Sequence, residues 1–517
     1  MWIVAYTYPN EQVSSQVIHR YYIMYESKLS NGLIERIKCT KSMTEKAFIE
    51  ELKEIVGIED VISHPDDLLV YEYDGSVDSN IPLAVVFPSS ALEVSQILKT
   101  THARGLPVVG RGSGTGLSGG AIAPNGGIQI AFTKMTQILE VNVQNRTATV
   151  EPGVINLDLD NHVRELGLRY APDPSSQRAC SIGGNIAENA GGPHCLAYGT
   201  TTNHVLEIES VLEDGTIVKL GGQSRDVPGY DLRGVFVGSE GTFGIATKIT
   251  VRLLPLPEMV KTFLGIFPDI ESACTAVSAV IGHGIVPAAL EMIDALSIKA
   301  VQSVTDAGFP DDAGAVLLVE LEGLIEEVEE VTERVESSLW DTGAKNVLIA
   351  EAPEDRERLW VGRKTAFGAF GTIAPNYYLV DGVVPRTRLT QVLKKVGEIG
   401  ERYGITIANV FHAGDGNLHP CMLFDEREPG VLDRAMKAAS EMMEYCVEVG
   451  GTLSGEHGIG LEKKEYMPLV FNEIDLSQMK KARDAFAPNN LLNPGKIFPD
   501  GESHPIEAHR ASPGLYI

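Results

Sequence analysis

From Met43 the chain carries a regular pattern of apolar and polar positions. In TEKAFIEELKEIVG, Phe48, Leu52 and Ile55 share one helical face. Residues 1 to 42 have no such period and read as an extension whose order, and membership of the native protein, the sequence leaves open; Met43 is an alternative start. From about Ile81 strand and helix patterns alternate: LAVVF, the helix ALEVSQILKTTHARG, the strand PVVG, a glycine loop, then strands around IQIAF, ATVEP and LEIESVLEDGTIVKL. Asp214-Gly215 predicts a hairpin turn inside the last of these. Pro255 and Pro257 mark the end of this α+β unit. Beyond Lys261, TFLGIF, AVLLVE and KNVLIA read as strands between amphipathic helices. One of these is the acidic GLIEEVEEVTERVESSLW, with Leu324, Val328, Val331 and Val335 at seam spacing. Its acidic residues are expected to form a solvated face over a sheet. The expected division is 1–42, 43–257, 258–498, and a loose tail at 499–517 containing Pro505 and Pro513.

Composition places this pattern in a soluble, multi-domain class. A chain of 517 residues exceeds one ordinary core, and its 44% hydrophobic and 22% charged content is average for globular proteins. The net charge of −27 argues against nucleic acid and anionic lipid as partners, since both bind through lysine and arginine. No apolar run reaches the roughly 18–20 residues of a membrane span. The N-terminus lacks the basic region and cleavage site of a signal peptide, so a cytoplasmic location is expected. Cys39, Cys180, Cys195, Cys274, Cys421 and Cys446 form no C-x-x-C pair. They read as reduced, mostly buried thiols rather than disulfides or cluster ligands.

Candidate chemistry begins at GRGSGTGLSGG, where six glycines fall between Gly110 and Gly120. The string GTGLSG matches G-x-G-x-x-G, but a dinucleotide fingerprint needs the glycines to open a helix. Here AIAPNGGIQIAF follows, with Pro124 and Gly126-Gly127, so no helix starts there. No Lys-Ser or Lys-Thr closes the loop, which also excludes a P-loop. What remains is a glycine loop between strands, whose N–H groups can surround a pyrophosphate. Two further clusters, SIGGNIAENAGG (Ser181 to Gly192) and VGSEGTFGIATKITV (Val237 to Val251), suggest three loops meeting over one extended ligand.

These clusters, with LNPGKIFP at 492–499, resemble flavoproteins of the vanillyl-alcohol oxidase (PCMH) type, and among them the D-2-hydroxyacid dehydrogenase branch, from about residue 50 onward. The resemblance implies an α+β fold, with a two-part FAD-binding domain over 43–257 followed by a substrate and metal domain built on an antiparallel sheet over 258–498. It implies FAD contacts from Arg111, Gly112, Ser113, Gly114, Thr115 and Gly116, from Gly183, Gly184 and Gly191, and from Gly238, Glu240, Gly241 and Thr242. Some relatives attach flavin through a histidine in the first loop; residues 110–120 contain none, so dissociable FAD is expected.

A second constellation lies in FHAGDGNLHP, where His412 and His419 flank a Gly-Asp-Gly-Asn turn. A hairpin there would bring the two imidazoles together. In SGEHGIG, Glu456 and His457 stand adjacent in a glycine-flanked loop. Two imidazoles and a carboxylate suit a catalytic divalent ion with open positions, which a hydroxy acid could fill. The family resemblance implies His412, His419 and Glu456 as ligands of zinc, iron or manganese, His457 as general base, and Arg363, ending the motif LWVGR, as the substrate-carboxylate partner. Relatives acting on a five-carbon hydroxydicarboxylate carry a threonine and a lysine where this chain has Phe367 and Leu379. An apolar pocket, favouring glycolate or D-lactate, is expected.

The expected activity is therefore FAD-dependent oxidation of a small D-2-hydroxy acid to its 2-oxo acid. With no cluster-binding cysteines, electrons are expected to leave to an iron–sulfur subunit, an electron-transfer flavoprotein or a quinone, with peripheral membrane association through such a partner and a homodimer both left open. The rivals are a non-catalytic FAD-binding relay subunit of a larger complex, and an FAD oxidase of the same fold acting on another alcohol.

Overall fold

The computed structural model describes residues 45–124, 126–224 and 228–501. The expectations for residues 1–42, Cys39, Met43 and the tail with Pro505 and Pro513 lie outside the described residues. Residues 45–56 form a helix, as the apolar period predicts, within a compact unit that ends at Val61.

The unit from Ile62 onward begins with a small parallel sheet in which Ile128–Ala131 lies between Ala84–Val86 and Val108–Arg111. Its strands are buried on both faces, which is why they read as unbroken apolar runs. The helix Ala91–His102, capped by the Ser90 side chain on the Glu93 N–H, turns Val94, Ile97 and Leu98 inward. A second, antiparallel sheet runs in the order Ile138–Asn142, Thr147–Val150, Ile245–Arg252, Val205–Val211, Ile217–Gly221. The last two strands form the predicted hairpin, its turn closed by the Thr216 N–H on Asp214 Oδ1 at 2.9 Å. The glycine loop leads into no helix, as expected. The second glycine cluster differs: Ile182–Glu188 is helical, with the Ser181 side chain accepting the Gly184 N–H. A good cap has overridden the poor helix propensity of two glycines.

The remainder is built on an antiparallel sheet with central order Asn346–Ala350, Met259–Phe267, Ala315–Gly323, Ala289–Asp294, Thr406–His412. Alternate residues feed two cores. Phe263 and Phe267 pack with helices Ile270–Gly282, Leu389–Tyr403 and Val431–Glu448, whereas Leu264 and Ile266 face Ala295–Val304 and Pro353–Ala369. The acidic helix spans Ile325–Asp341 and buries Val328 and Val335; Leu324 is its N-cap and stays exposed.

The chain then returns to its beginning. Leu491 O accepts the Val108 N–H at 2.8 Å, Val108 O accepts the Asn493 N–H at 2.8 Å, and Glu213 accepts the N–H groups of Asn489 and Leu491. Residues 489–497, grouped by chain order with the second half, thus pin the first parallel sheet. No helix among the described residues is long and apolar enough to cross a membrane.

Candidate active site

A cavity of about 420 Å³ runs between the glycine segments and reaches His419, Glu456 and His457. Gly112, Ser113, Gly114, Thr115 and Gly116 line it, as do Gly183, Gly184, Gly191, Glu240 and Gly241. A Cβ on Gly116 would meet nothing within 4 Å, so the backbone there faces open cavity, while one on Gly183 would come within 2.7 Å of Pro152. Gly114 has φ +68°, and a side chain on it would strike the Arg111 guanidinium.

Three of the expected cofactor residues stand behind this wall rather than in it. Arg111 is buried beneath the loop, its Nη1 donating to Tyr73 O at 2.8 Å. It braces Gly114, and burial lowers its pKa. Gly238 donates its N–H to Ile186 O at 2.9 Å, and the Thr242 hydroxyl donates to Ser239 O at 2.7 Å. Both shape the turn that presents Ser239 and Glu240. The Glu240 carboxylate accepts the N–H groups of Ile459 and Gly460, each at 2.7 Å, and so fastens the third glycine turn to the loop that carries His457.

The hairpin expected at FHAGDGNLHP is present, with His412 paired in register with Asn417. The rings of His412 and His419 are 5.1 Å apart. Glu456 Oε1 lies 3.1 Å from His412 Nε2 and 3.5 Å from His419 Nε2, and the three donor atoms fall within 4.8 Å of one another. His419 is 2% exposed, yet neither ring nitrogen has a hydrogen-bond partner. An orphaned buried imidazole beside a carboxylate is a donor set that could hold a divalent cation. A second donor set, Asp381, His419 and His457, overlaps the first at His419. A third, His194, Glu320 and Glu322, is already satisfied: both His194 nitrogens bond to Asp173 and Glu320, and Glu322 pairs with Arg169.

Two carboxylates that sequence reasoning missed organise the cluster. Glu291, fully buried, accepts from His412 Nδ1 at 2.7 Å and from Arg363 Nε at 2.8 Å. It fixes the His412 tautomer so that Nε2 faces Glu456. Asp381, also fully buried, accepts the N–H groups of Gly455 and His457 at 3.1 and 3.0 Å and the Ser454 hydroxyl at 2.7 Å, with Lys463 Nζ at 3.3 Å. Each is a lone charge in an apolar run, AALEMI and LVDGVV, which was the available signal.

The electrostatics follow from burial and charge. Burial alone would lower His412, but Glu291 and Glu456 outweigh it and raise the pKa to about 10. Burial would likewise raise Glu456, but His412 and His419 hold it down at about 2. A proton held this firmly between carboxylates occupies a place suited to a divalent cation. His457 stacks on His419 with ring centroids 5.2 Å apart, and burial pushes its pKa down to about 4. It is neutral at physiological pH and can accept a proton.

Arg363 lies on the helix Pro353–Ala369 and is 1% exposed. Its Nη2 has no partner, and its guanidinium sits 5.8 Å from the Phe367 ring. Arg363 is not among the residues that line the cavity; Lys364, Phe367, Tyr377 and Leu379 are. The apolar wall expected from Phe367 and Leu379 is therefore in place, with one cation, Lys364, that the sequence did not single out.

Comparison with known proteins finds the FAD binding domain over residues 82–221 and the C-terminal domain of FAD linked oxidases over residues 256–497. Glycolate oxidase subunit GlcD of Escherichia coli is 44% identical, covering 92% of this chain and 94% of the relative. GlcD of Bacillus subtilis is 40% identical over 90% of this chain and all of the relative. A D-lactate dehydrogenase of Archaeoglobus fulgidus is 34% identical over 87% and 99%. Among solved structures, 4-ethylphenol oxidase from Gulosibacter chungangensis has a TM-score of 0.73 at 20% identity, covering 88% of this chain and 98% of the other. Substrate-bound p-cresol methylhydroxylase also scores 0.73, at 18% identity over 91% and 98%. These two share the fold.

Proposed function

The chain belongs to the FAD-linked oxidases, and on that premise we propose that it oxidises a small D-2-hydroxy acid, glycolate or D-lactate, to the 2-oxo acid. The observation that carries this reading is the presence of His419, Glu456 and His457 on the wall of a glycine-lined cavity, with His412 gathered against His419 and Glu456. The backbone of 112–116, 183–184 and 241 would hold FAD without a covalent bond, and the flavin would supply the hydride acceptor. A divalent cation held by His412, His419 and Glu456 would lower the pKa of a substrate hydroxyl.

The chain's own groups do the rest. His457, neutral and held by the Asp381-capped loop, takes the hydroxyl proton at a ring nitrogen. Glu291 keeps His412 oriented and ties it to Arg363, whose free Nη2 is available to a carboxylate. Phe367 and Leu379 make their part of the wall apolar, which favours a small substrate, with Lys364 the cation beside them. Two of the relatives are named as subunits, which supports passage of the electrons to a partner protein or quinone. A cytoplasmic setting, in contact with a membrane only through that partner, accords with the composition.

Anaerobic titration of the FAD- and metal-loaded protein tests the reading. Glycolate or D-lactate should bleach the flavin absorbance and L-lactate should not. Bleaching by dithionite alone would leave a competent flavin and overturn the substrate class.

A further inference from the structure

Away from His412, His419, Glu456 and His457, one cluster of charged side chains joins the two matched domains. Asp173 and His194 lie in the FAD binding domain, and Glu320 and Trp360 in the C-terminal domain. His194 Nδ1 is 2.7 Å from Asp173 Oδ2, and its Nε2 is 3.1 Å from Glu320 Oε1. Carboxylates can only accept, so both ring nitrogens donate and His194 is an imidazolium. The charges agree with this geometry. Burial would lower the His194 pKa, but Asp173 and Glu320 raise it well above the ordinary value. Burial would raise Glu320, but His194, Thr262 and Trp360 hold it low.

Each end of this bridge leads to the cavity. Pro174, Ser175 and Ser176, directly after Asp173, line it, as does Gly191, three residues before His194. Gly192 lets these two segments meet: its φ is +133°, and a Cβ there would lie 2.5 Å from Asp173 O. On the other side, Glu320 Oε2 accepts from Trp360 Nε1 and from the Thr262 hydroxyl, each at 2.6 Å. The Trp360 ring also stacks on His194, with centroids 5.7 Å apart. Trp360 lies on the helix Pro353–Ala369, one turn before Arg363 and Lys364. Two residues along the Glu320 strand, Glu322 pairs with Arg169 of the FAD binding domain, a second link beside the first.

We propose that His194, donating from both ring nitrogens, clamps the helix Pro353–Ala369 to the FAD binding domain and is a positioning residue for the substrate carboxylate. The inference rests on the reading of Arg363 as the partner of that carboxylate. His457 and the glycine loop lie on other elements, so a loosened clamp should weaken the grip on substrate and leave the proton acceptor and the FAD cradle in place.

The test uses full-length protein loaded with FAD and metal. His194→Gln can donate to one carboxylate but turns its carbonyl toward the other. It should raise the KM for glycolate and D-lactate about tenfold, with kcat within about twofold and FAD affinity unchanged. Adding Glu320→Gln completes the chain again: its amide N–H donates to that carbonyl, and its oxygen still accepts from Trp360 and Thr262. The double variant should return close to the wild-type KM, which a loss of packing alone would not allow. His194→Phe, which keeps a ring against Trp360 and donates nothing, gives the same comparison if the glutamine variant fails to fold. Hydrogen exchange over residues 353–369 without substrate reads the clamp apart from the reaction. It should be about tenfold faster in the single variants and near normal in the double variant. Unchanged exchange in the single variants would overturn the clamp, and faster exchange with an unchanged KM would overturn the positioning role. A double variant as impaired as the single one would overturn the chain of donors. Wild-type protein that oxidised neither acid would strike the substrate reading, and exchange would then decide the clamp by itself.

Discussion

Along the loop from Gly112 to Gly116 the side chains are reduced to hydrogens and two hydroxyls, whereas the facing wall crowds His419, Glu456 and His457 into the same cavity. The glycine wall recognises by backbone N–H groups, and what it needs is the absence of anything in the way. The histidine wall acts through charge, and what it needs is a surrounding layer that fixes each ionisable group: Glu291 for His412, and Asp381 with Lys463 for the loop bearing Glu456 and His457. Binding and chemistry are thereby separated, and they should fail separately when each wall is altered.

The sharpest break is a pair of substitutions, one on each wall. Glu456→Gln should slow anaerobic flavin reduction about 10³-fold and lose bound metal while keeping FAD. Gly112→Val, whose side chain would strike the Ser181 hydroxyl, should lose FAD while keeping metal. Flavin absorbance and elemental analysis of the same two samples read both. Loss of both groups in both variants would abolish the distinction.

A smaller effect probes the layer behind the histidines. Asp381→Asn leaves Lys463, 0% exposed, without its closest carboxylate and should cost about 3 kcal/mol of unfolding free energy. Although burial would raise the Asp381 pKa, His457 and Lys463 hold it well below the usual value. The stabilisation is thus present above the ordinary carboxylate pKa and fades as pH falls through the depressed one. The variant should show a flatter acid limb in a plot of Tm against pH.

Smaller again is the division of labour between two adjacent cations. Arg363→Lys should raise KM about tenfold if Nη2 holds the substrate carboxylate, and Lys364→Met should change it little. The reverse pattern would give the role to the lysine that lines the cavity.

Local pattern carried the parts of this architecture that depend on neighbours in sequence. The Asp214-Gly215 hairpin and the approach of His412 to His419 follow from two short strands joined by a tight turn. The helix at Ile182–Glu188 was hidden because its glycines argue for a loop, and the Ser181 cap that decides otherwise is a single residue. The partnership of Glu291 with Arg363 and His412 joins residues 72 and 121 positions apart, and the return of Asn493 to Gly120 O spans 373. No local period encodes such contacts, although an isolated Glu in AALEMI and an isolated Asp in LVDGVV flag that a buried charge awaits a partner. Arg111 shows the converse: its place in the loop was legible, but the direction of its side chain was set by Tyr73 O, outside the motif.

The central claim is that the histidine wall supplies the base for a reaction whose acceptor the glycine wall holds. The most direct measurement is stopped-flow flavin reduction by glycolate and D-lactate in His457→Gln beside the unaltered protein, both loaded with FAD and metal. A fall of about 10²–10⁴-fold in the reduction rate, with FAD affinity unchanged, is the predicted result. Reduction at the unaltered rate would contradict it.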